Sequence, residues 1–259
     1  TALVDGVDDA PLDDSVTEAE RHVILEQLNA LEERIGGACD SSGRSRGDVQ
    51  LLLATKTVPV ERIRVAIEAG NALIGENRVQ EVVAKGPGLA DLDHTTHFIG
   101  HLQKNKVNQV LPWVQLIQSI DRVEIAEAVS KRLDRPLDVF VQVNTSGEPS
   151  KYGVDPNVAV ELAGQVDGLP NLAVSGFMTI GLFSTDEVPV RRCYERLRMV
   201  RDQAISGGLA DASELSMGMS GDLEWAIAEG STMVRVGSAV FGARPTSDAY
   251  YWPGSAPEI

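Results

Sequence analysis

Along most of this chain short apolar runs alternate with amphipathic stretches, and that alternation sets the first expectation of fold. Leu51-Leu52-Leu53-Ala54, led in by Val49, has the continuous apolar character of a strand buried on both faces of a parallel sheet. Similar runs at 49–55, 72–75, 96–99, 115–119, 137–143, 172–176, 213–216 and 232–236 predict eight strands. Between them the spacing predicts helices near 60–69, 77–84, 103–110, 122–133, 156–166, 190–206 and 221–229. Eight strands alternating with helices predict an α/β fold, a single (β/α)8 TIM barrel. A doubly wound open sheet is the rival, but no GxGxxG turn follows the first strand.

Ahead of the first strand, Val23, Ile24, Leu28, Leu31 and Ile35 recur on one helical face from Thr17 onward, and Gly36-Gly37 is the expected stop. Cys39 to Asp48 reads as a polar loop. Residues 1–16 carry five aspartates within the first fifteen positions and predict a loose acidic tail. The barrel is expected over 17–244, with a short C-terminal tail over 245–259 holding Tyr250, Tyr251 and Trp252. No Pro/Gly/Ser-rich linker divides the chain, so one domain is expected.

Composition narrows the partners. The 259 residues carry a formal charge of −15, which disfavours nucleic acid and anionic membrane surfaces as general partners. Cys39 and Cys193 are the only cysteines and lie far apart, suggesting neither a disulfide framework nor a zinc site. Thr1 to Asp14 lacks the basic and apolar regions of a signal peptide, and no apolar run approaches a membrane span. A protein of the reducing cytoplasm is expected.

Barrels of this kind place their chemistry at the carboxyl ends of the strands. The first strand ends on Lys56, before Val58-Pro59-Val60-Glu61 opens a helix. A lysine with an apolar floor and little water behind it can become a nucleophilic amine able to form a Schiff base, although a solvated strand-end lysine is the commoner case. After the second strand, Asn77 could cap the next helix or meet a polar ring substituent. His97 and His101 invite a metal reading, but no third ligand is near, so no metal is expected. Ser119-Ile120-Asp121 reads as a turn with a helix cap, and 142–153 as a polar loop. Met178 at the sixth strand end is filler more often than a ligand contact. The last two strand ends say most. Ser216-Met217-Gly218-Met219-Ser220-Gly221-Asp222 and Val234-Arg235-Val236-Gly237-Ser238 are Gly/Ser turns where barrels commonly build a phosphate site. A Schiff-base lysine facing a phosphate cradle suggests pyridoxal 5′-phosphate.

The segments LLLATKT, GENRVQE, HFIGHLQKNK, SID, VNTSGEPSKYG, GFMTI, LSMGMSGD and STMVRVGSAVFGAR together resemble the pyridoxal phosphate homeostasis proteins, the YggS/PROSC family, over residues 20–244. The resemblance implies a single barrel like the N-terminal domain of alanine racemase, with the cofactor held by Lys56 as an aldimine. It implies that Ser220, Gly237 and Ser238 hold the phosphate with Ser216 and Met219 nearby, that Asn77 lies beside the ring and that Arg235 faces the pyridine nitrogen. Arg78 and Thr96 depart from the family's usual Tyr and Trp. The role implied is keeping free pyridoxal phosphate low and passing it to apo enzymes that use it.

An arginine at the ring nitrogen keeps that nitrogen neutral and weakens the ring as an electron sink. Racemisation also needs a second base on the opposite face of the substrate. In racemases of this type an additional β domain supplies it, and only Tyr250 or Tyr251 is available here. A binding protein, acting as a monomer and without catalytic residues, is therefore expected. An amino-acid racemase and an aldolase-type barrel enzyme using Lys56 on substrate are the alternatives.

Overall fold

The computed structural model describes residues 16–242. The N-terminal acidic stretch 1–15, and Arg244, Tyr250, Tyr251 and Trp252, lie outside the described residues. The chain begins with α1 (Glu18–Ser41), β1 (Gln50–Ala54), α2 (Val60–Glu68), β2 (Leu73–Glu76), α3 (Val79–Leu89) and β3 (Thr95–Phe98). It continues with α4 (Val107–Val110), β4 (Leu116–Ile120), α5 (Val123–Ser130), β5 (Leu137–Gln142), α6 (Ala159–Asp167) and β6 (Leu172–Met178). The last elements are α7 (Glu187–Ser206), β7 (Glu214–Ser216), α8 (Leu223–Ala228), β8 (Met233–Val236) and α9 (Ser238–Phe241). All eight strands pair in parallel and in sequence order, and β8 closes on β1 with Leu52 opposite Arg235 and Leu53 opposite Val236.

Strand periodicity sorts side chains into two sets. Leu52, Leu116, Phe140, Met178 and Met233 plug the barrel interior. Leu53, Ile74, Val234 and Val236 point outward and pack with Ile63 and Ala66 of α2. Both faces of β1 are therefore covered over Leu51–Leu53, which is why it reads as an unbroken apolar run.

Helix α1 is fixed at its start by a capping box: the Glu20 amide donates to Thr17 Oγ1 at 3.2 Å, and the Thr17 amide donates to Glu20 Oε2 at 3.0 Å. It does not stop at Gly36-Gly37 but runs on to Ser41. Ala38 and Cys39 are buried in the outer core, and burial of that last turn outweighs the poor helix propensity of two glycines. Val23 does not join the buried face; it is exposed, while Ile24 is fully buried. The cap expected at Asp121 is also absent. Strand β4 runs through Ile120, Arg122 is the N-cap of α5, and Asp121 pairs with Arg122 at 2.5 Å. Among the described residues no helix is long and apolar enough to cross a membrane.

Candidate functional site

Lys56 lies two residues past the end of β1 and four past Leu52, so strand alternation carries it toward the interior side of the barrel mouth. It is half-buried. The next residue, Thr57, has φ 61°, in the left-handed region that a β-branched residue rarely adopts. Such strain persists only where surrounding contacts over-determine it. Here they do. The Thr57 amide donates to Glu81 Oε2 at 2.7 Å, and Lys85 Nζ donates to the Thr55 carbonyl at 2.7 Å, so the backbone is gripped on both sides of Lys56.

The ends of β7 and β8 come to the same side of the mouth. A Cβ on Gly237 would lie 2.6 Å from the Ala54 carbonyl oxygen, so only glycine lets the β8 turn lie this close to the end of β1. One residue on, Ser238 Oγ donates to Ser220 Oγ at 3.3 Å, joining the two predicted turns through their hydroxyls. Met219 is present by its backbone, whose amide donates to Asp222 Oδ1 at 2.7 Å and shapes the β7 turn. Gly218, with φ 94°, lets that turn fold against α8, where a Cβ would meet Ala226 at 2.5 Å.

Arg235 is buried at 6% exposure, two residues along β8 from the interior residue Met233. It donates to Ser216 Oγ at 2.7 Å and to the Thr179 carbonyl at 2.7 Å. No carboxylate lies within ion-pair distance of it among the described residues. Burial lowers its pKa to about 10, partly opposed by Tyr194 and Asp222, so the guanidinium stays protonated at neutral pH. Ser216 is fully buried and passes the interaction on, donating to Gln118 Oε1 at 2.6 Å. Gln118 Nε2 in turn lies 2.9 Å from His97 Nδ1. Because an amide nitrogen can only donate, His97 must accept through Nδ1 and carry its proton on Nε2. Burial lowers the His97 pKa to about 4, which keeps the ring neutral and compatible with that role. A hydrogen-bonded chain thus crosses the barrel from β8 through β7 and β4 to β3.

Asn77 follows β2, and the N-cap of α3 is Arg78, so the capping role for Asn77 falls away. A Cβ on Gly100 would lie 1.8 Å from the Asn77 carbonyl oxygen, which explains the glycine at the end of β3. His97 and His101 serve different neighbours. His101 stacks on Tyr152 with ring centroids 4.0 Å apart and lies 3.7 Å from Asp121. Among the described residues no three histidine, cysteine or acidic side chains group as metal ligands. The polar loop after β5 is organised mostly on itself: Asn144 Nδ2 donates to the carbonyls of Glu148 and Lys151 at 2.9 and 3.1 Å. Met178 fills the barrel interior at 1% exposure.

Sequence reasoning overlooked Thr55, Lys85, His97 and Gln118 as members of these networks, and with them Glu76, whose Oε1 accepts from Lys85 Nζ at 2.8 Å. Only the Glu81/Lys85 spacing, four apart on a helix, carried a local signal.

Known proteins show the same architecture. The family described as the alanine racemase N-terminal domain matches residues 40–245. The solved alanine racemase of Clostridium difficile shares the fold, with a TM-score of 0.71 at 13% identity over 90% of this chain and 59% of that one. A protein from Bifidobacterium adolescentis of unknown role is 41% identical, with a TM-score of 0.85 over 88% of this chain and 98% of that one. PipY of Synechococcus elongatus, solved with PLP bound, is 32% identical, with a TM-score of 0.74 over 85% of this chain and 100% of its own. The pyridoxal phosphate homeostasis protein of Aquifex aeolicus is 43% identical over 222 residues, 85% of this chain and 97% of that protein. Its counterpart in Pseudomonas aeruginosa is 41% identical over 225 residues, 85% of this chain and 96% of that protein. With this identity spanning nearly the whole of those relatives, the chain belongs to the pyridoxal phosphate homeostasis protein family.

Proposed function

We propose that this protein binds pyridoxal 5′-phosphate, covalently linked at Lys56, and serves intracellular homeostasis of that cofactor by holding it and releasing it to apo enzymes. The observation that carries this is the meeting of three strand ends. Gly237 sits against Ala54 at the foot of Lys56, with the hydroxyls of Ser238 and Ser220 3.3 Å apart beside it. The residues fit the group. An amine on β1 suits its aldehyde, two hydroxyls and a close-packed glycine suit its phosphate, and the protonated Arg235 suits a neutral pyridine nitrogen. When bound, the cofactor supplies an aldehyde carbon that an amine takes up reversibly and a ring able to delocalise electrons.

The protein's own residues would hold rather than transform. Ser220, Ser238 and the Gly237 backbone would anchor the phosphate, with Met219 shaping the β7 turn. Asn77 would lie beside the ring. Ser216, buried behind Arg235, would act by fixing that guanidinium. Arg235 retains its protons at neutral pH and cannot take one from the ring nitrogen, so the ring stays a modest electron sink. That weakens carbanion chemistry without forbidding it, so the arginine alone does not separate a carrier from a racemase. Action as a monomer is part of this reading. Cys39 and Cys193 are unpaired and buried, in keeping with a reducing cytoplasm. We assign residues 17–244 to the cofactor-binding barrel.

The test is the absorbance spectrum of the purified protein with added pyridoxal phosphate, before and after borohydride, followed by peptide mapping. A visible band and a pyridoxyl label on Lys56, both lost in Lys56→Ala, are expected. A label on Lys104, Lys106 or Lys151 would overturn the assignment, and the absence of any band would favour the aldolase reading. Carrier and racemase separate when L-alanine is followed by circular dichroism alongside reactivation of an added apo enzyme. Reactivation without racemisation is expected.

A further inference from the structure

We infer that Glu76 and Lys85 are positioning residues for Lys56, forming with Glu81 a buried clamp that sets where its amine stands. This rests on the reading of Lys56 as the cofactor's anchor. Lys85 Nζ makes three contacts: the Thr55 carbonyl at 2.7 Å, Glu76 Oε1 at 2.8 Å and Glu81 Oε2 at 2.7 Å. Those three exhaust the donors of an ammonium group. Glu76 Oε1 also accepts from Thr55 Oγ1 at 2.5 Å, and Glu81 Oε2 also accepts from the Thr57 amide at 2.7 Å. The residue before Lys56 is thus held by Glu76 and Lys85 and the residue after it by Glu81, with Thr57 kept at φ 61° between them.

The arrangement costs more than a fold needs. Glu76 is 1% exposed and its Oε2 accepts no hydrogen bond among the described residues. A buried carboxylate oxygen without a hydrogen bond is expensive, and an apolar side chain at the end of β2 would pack against α3 more cheaply. Glu76 also lines a cavity of about 230 Å³ between α3 and the outer side of β2 and β3, with His94, Thr96, Trp113 and Gln115 on its other walls. Keeping an incompletely satisfied ion pair there makes sense if its product is the Lys56 turn. Strand β1 ends two residues before Lys56 and its pairing with β2 reaches Thr55, whose amide donates to the Gly75 carbonyl at 3.0 Å, so the clamp takes hold where the strand leaves off. Misplacing a reacting amine by about 1 Å can slow its reaction on the order of a hundredfold.

The experiment uses the full chain and reads two rates. The first is borohydride trapping of pyridoxal phosphate at Lys56, against total bound pyridoxal phosphate from ultrafiltration. The second is acetylation of Lys56 by acetic anhydride in cofactor-free protein, with the half-buried Lys151 as internal reference. In Glu76→Ala and Lys85→Met the trapping rate should fall about tenfold or more while total binding, held by the phosphate, changes less than about twofold. Acetylation of Lys56 should rise as the freed turn reaches solvent, with Lys151 unchanged. Glu76→Gln keeps an acceptor for Thr55 and Lys85 and should stay near wild type. If either truncation fails to fold, Thr55→Val removes a single hydroxyl at constant shape and must show the same split. Equal losses of trapping and total binding, or wild-type rates for both reactions, would overturn the clamp. If the wild-type protein traps nothing, the cofactor reading fails, and acetylation of Lys56 still decides the clamp.

Discussion

Arg235 donates to Ser216 Oγ at 2.7 Å, and that hydroxyl is the only one on β7 and is fully buried. Its position commits both partners, because Ser216 must then donate onward to Gln118. Ser216→Ala leaves an Arg235 N–H and the Gln118 carbonyl oxygen without that partner. A loss of about 1–3 kcal/mol in unfolding free energy is expected, read from urea denaturation. Removing the hydroxyl and keeping full stability would mean that the chain across the barrel contributes nothing.

Gly237→Ala tests the approach of β8 to β1. The added methyl would sit 2.6 Å from the Ala54 carbonyl oxygen, which is backbone and cannot swing aside. The β8 turn must move away from Lys56. The affinity for pyridoxal phosphate should fall at least about tenfold while the circular dichroism of the barrel is retained.

Ser238 should read phosphate and little else. One charge-assisted hydrogen bond is worth about 1.5–3 kcal/mol, so Ser238→Ala should weaken pyridoxal phosphate binding by roughly ten- to a hundredfold. Binding of pyridoxal, which lacks the phosphate, should hardly change in a fluorescence titration. Equal losses for the two ligands would assign Ser238 to the fold.

Two buried titratable groups oppose each other with pH. Burial pushes the Glu76 carboxyl from 4.5 up to about 7, against the pull of Lys85 and Thr55. Between those values the folded protein holds a proton that the unfolded chain has released, so this group makes stability rise as pH falls. Burial moves His97 from 6.5 down to about 4, so between those values the unfolded chain takes up a proton that the folded protein refuses. That group makes stability fall as pH falls. Each effect reaches at most about 3 kcal/mol, and they overlap from about pH 4.5 to 6.5. Glu76→Gln should therefore leave a protein that loses stability more steeply on acidification than wild type, and His97→Gln one that loses it less steeply. Parallel pH profiles for the three proteins would refute the opposition.

Lys85→Met should be the most destabilising of these changes. It leaves Glu76 and Glu81 facing each other without the cation between them, at a cost of about 3–5 kcal/mol in urea unfolding at pH 8. Acidification toward pH 5 should restore part of that loss by protonating Glu76.

Much of this protein is settled locally. The eight strands stand within a few residues of their expected positions because a strand covered on both faces must be apolar throughout, and that leaves a continuous run in the chain. Lys56, Ser220, Arg235, Gly237 and Ser238 could be singled out because barrel function gathers at strand ends, so a place in the chain already implies a place in space. What the sequence could not determine is what depends on neighbours from other strands. Whether α1 stops at Gly36-Gly37 depends on the burial of Ala38 and Cys39, and propensity alone points the other way. That Glu76 Oε2 accepts no hydrogen bond among the described residues, that His97 meets Gln118, and that Ser216 lies behind Arg235 are decided by register around the closed sheet. Those contacts join residues between 19 and 98 positions apart, and chain spacing fixes no distance over such separations. Only closure of β8 onto β1 brings the amine, the hydroxyls and the guanidinium to one mouth.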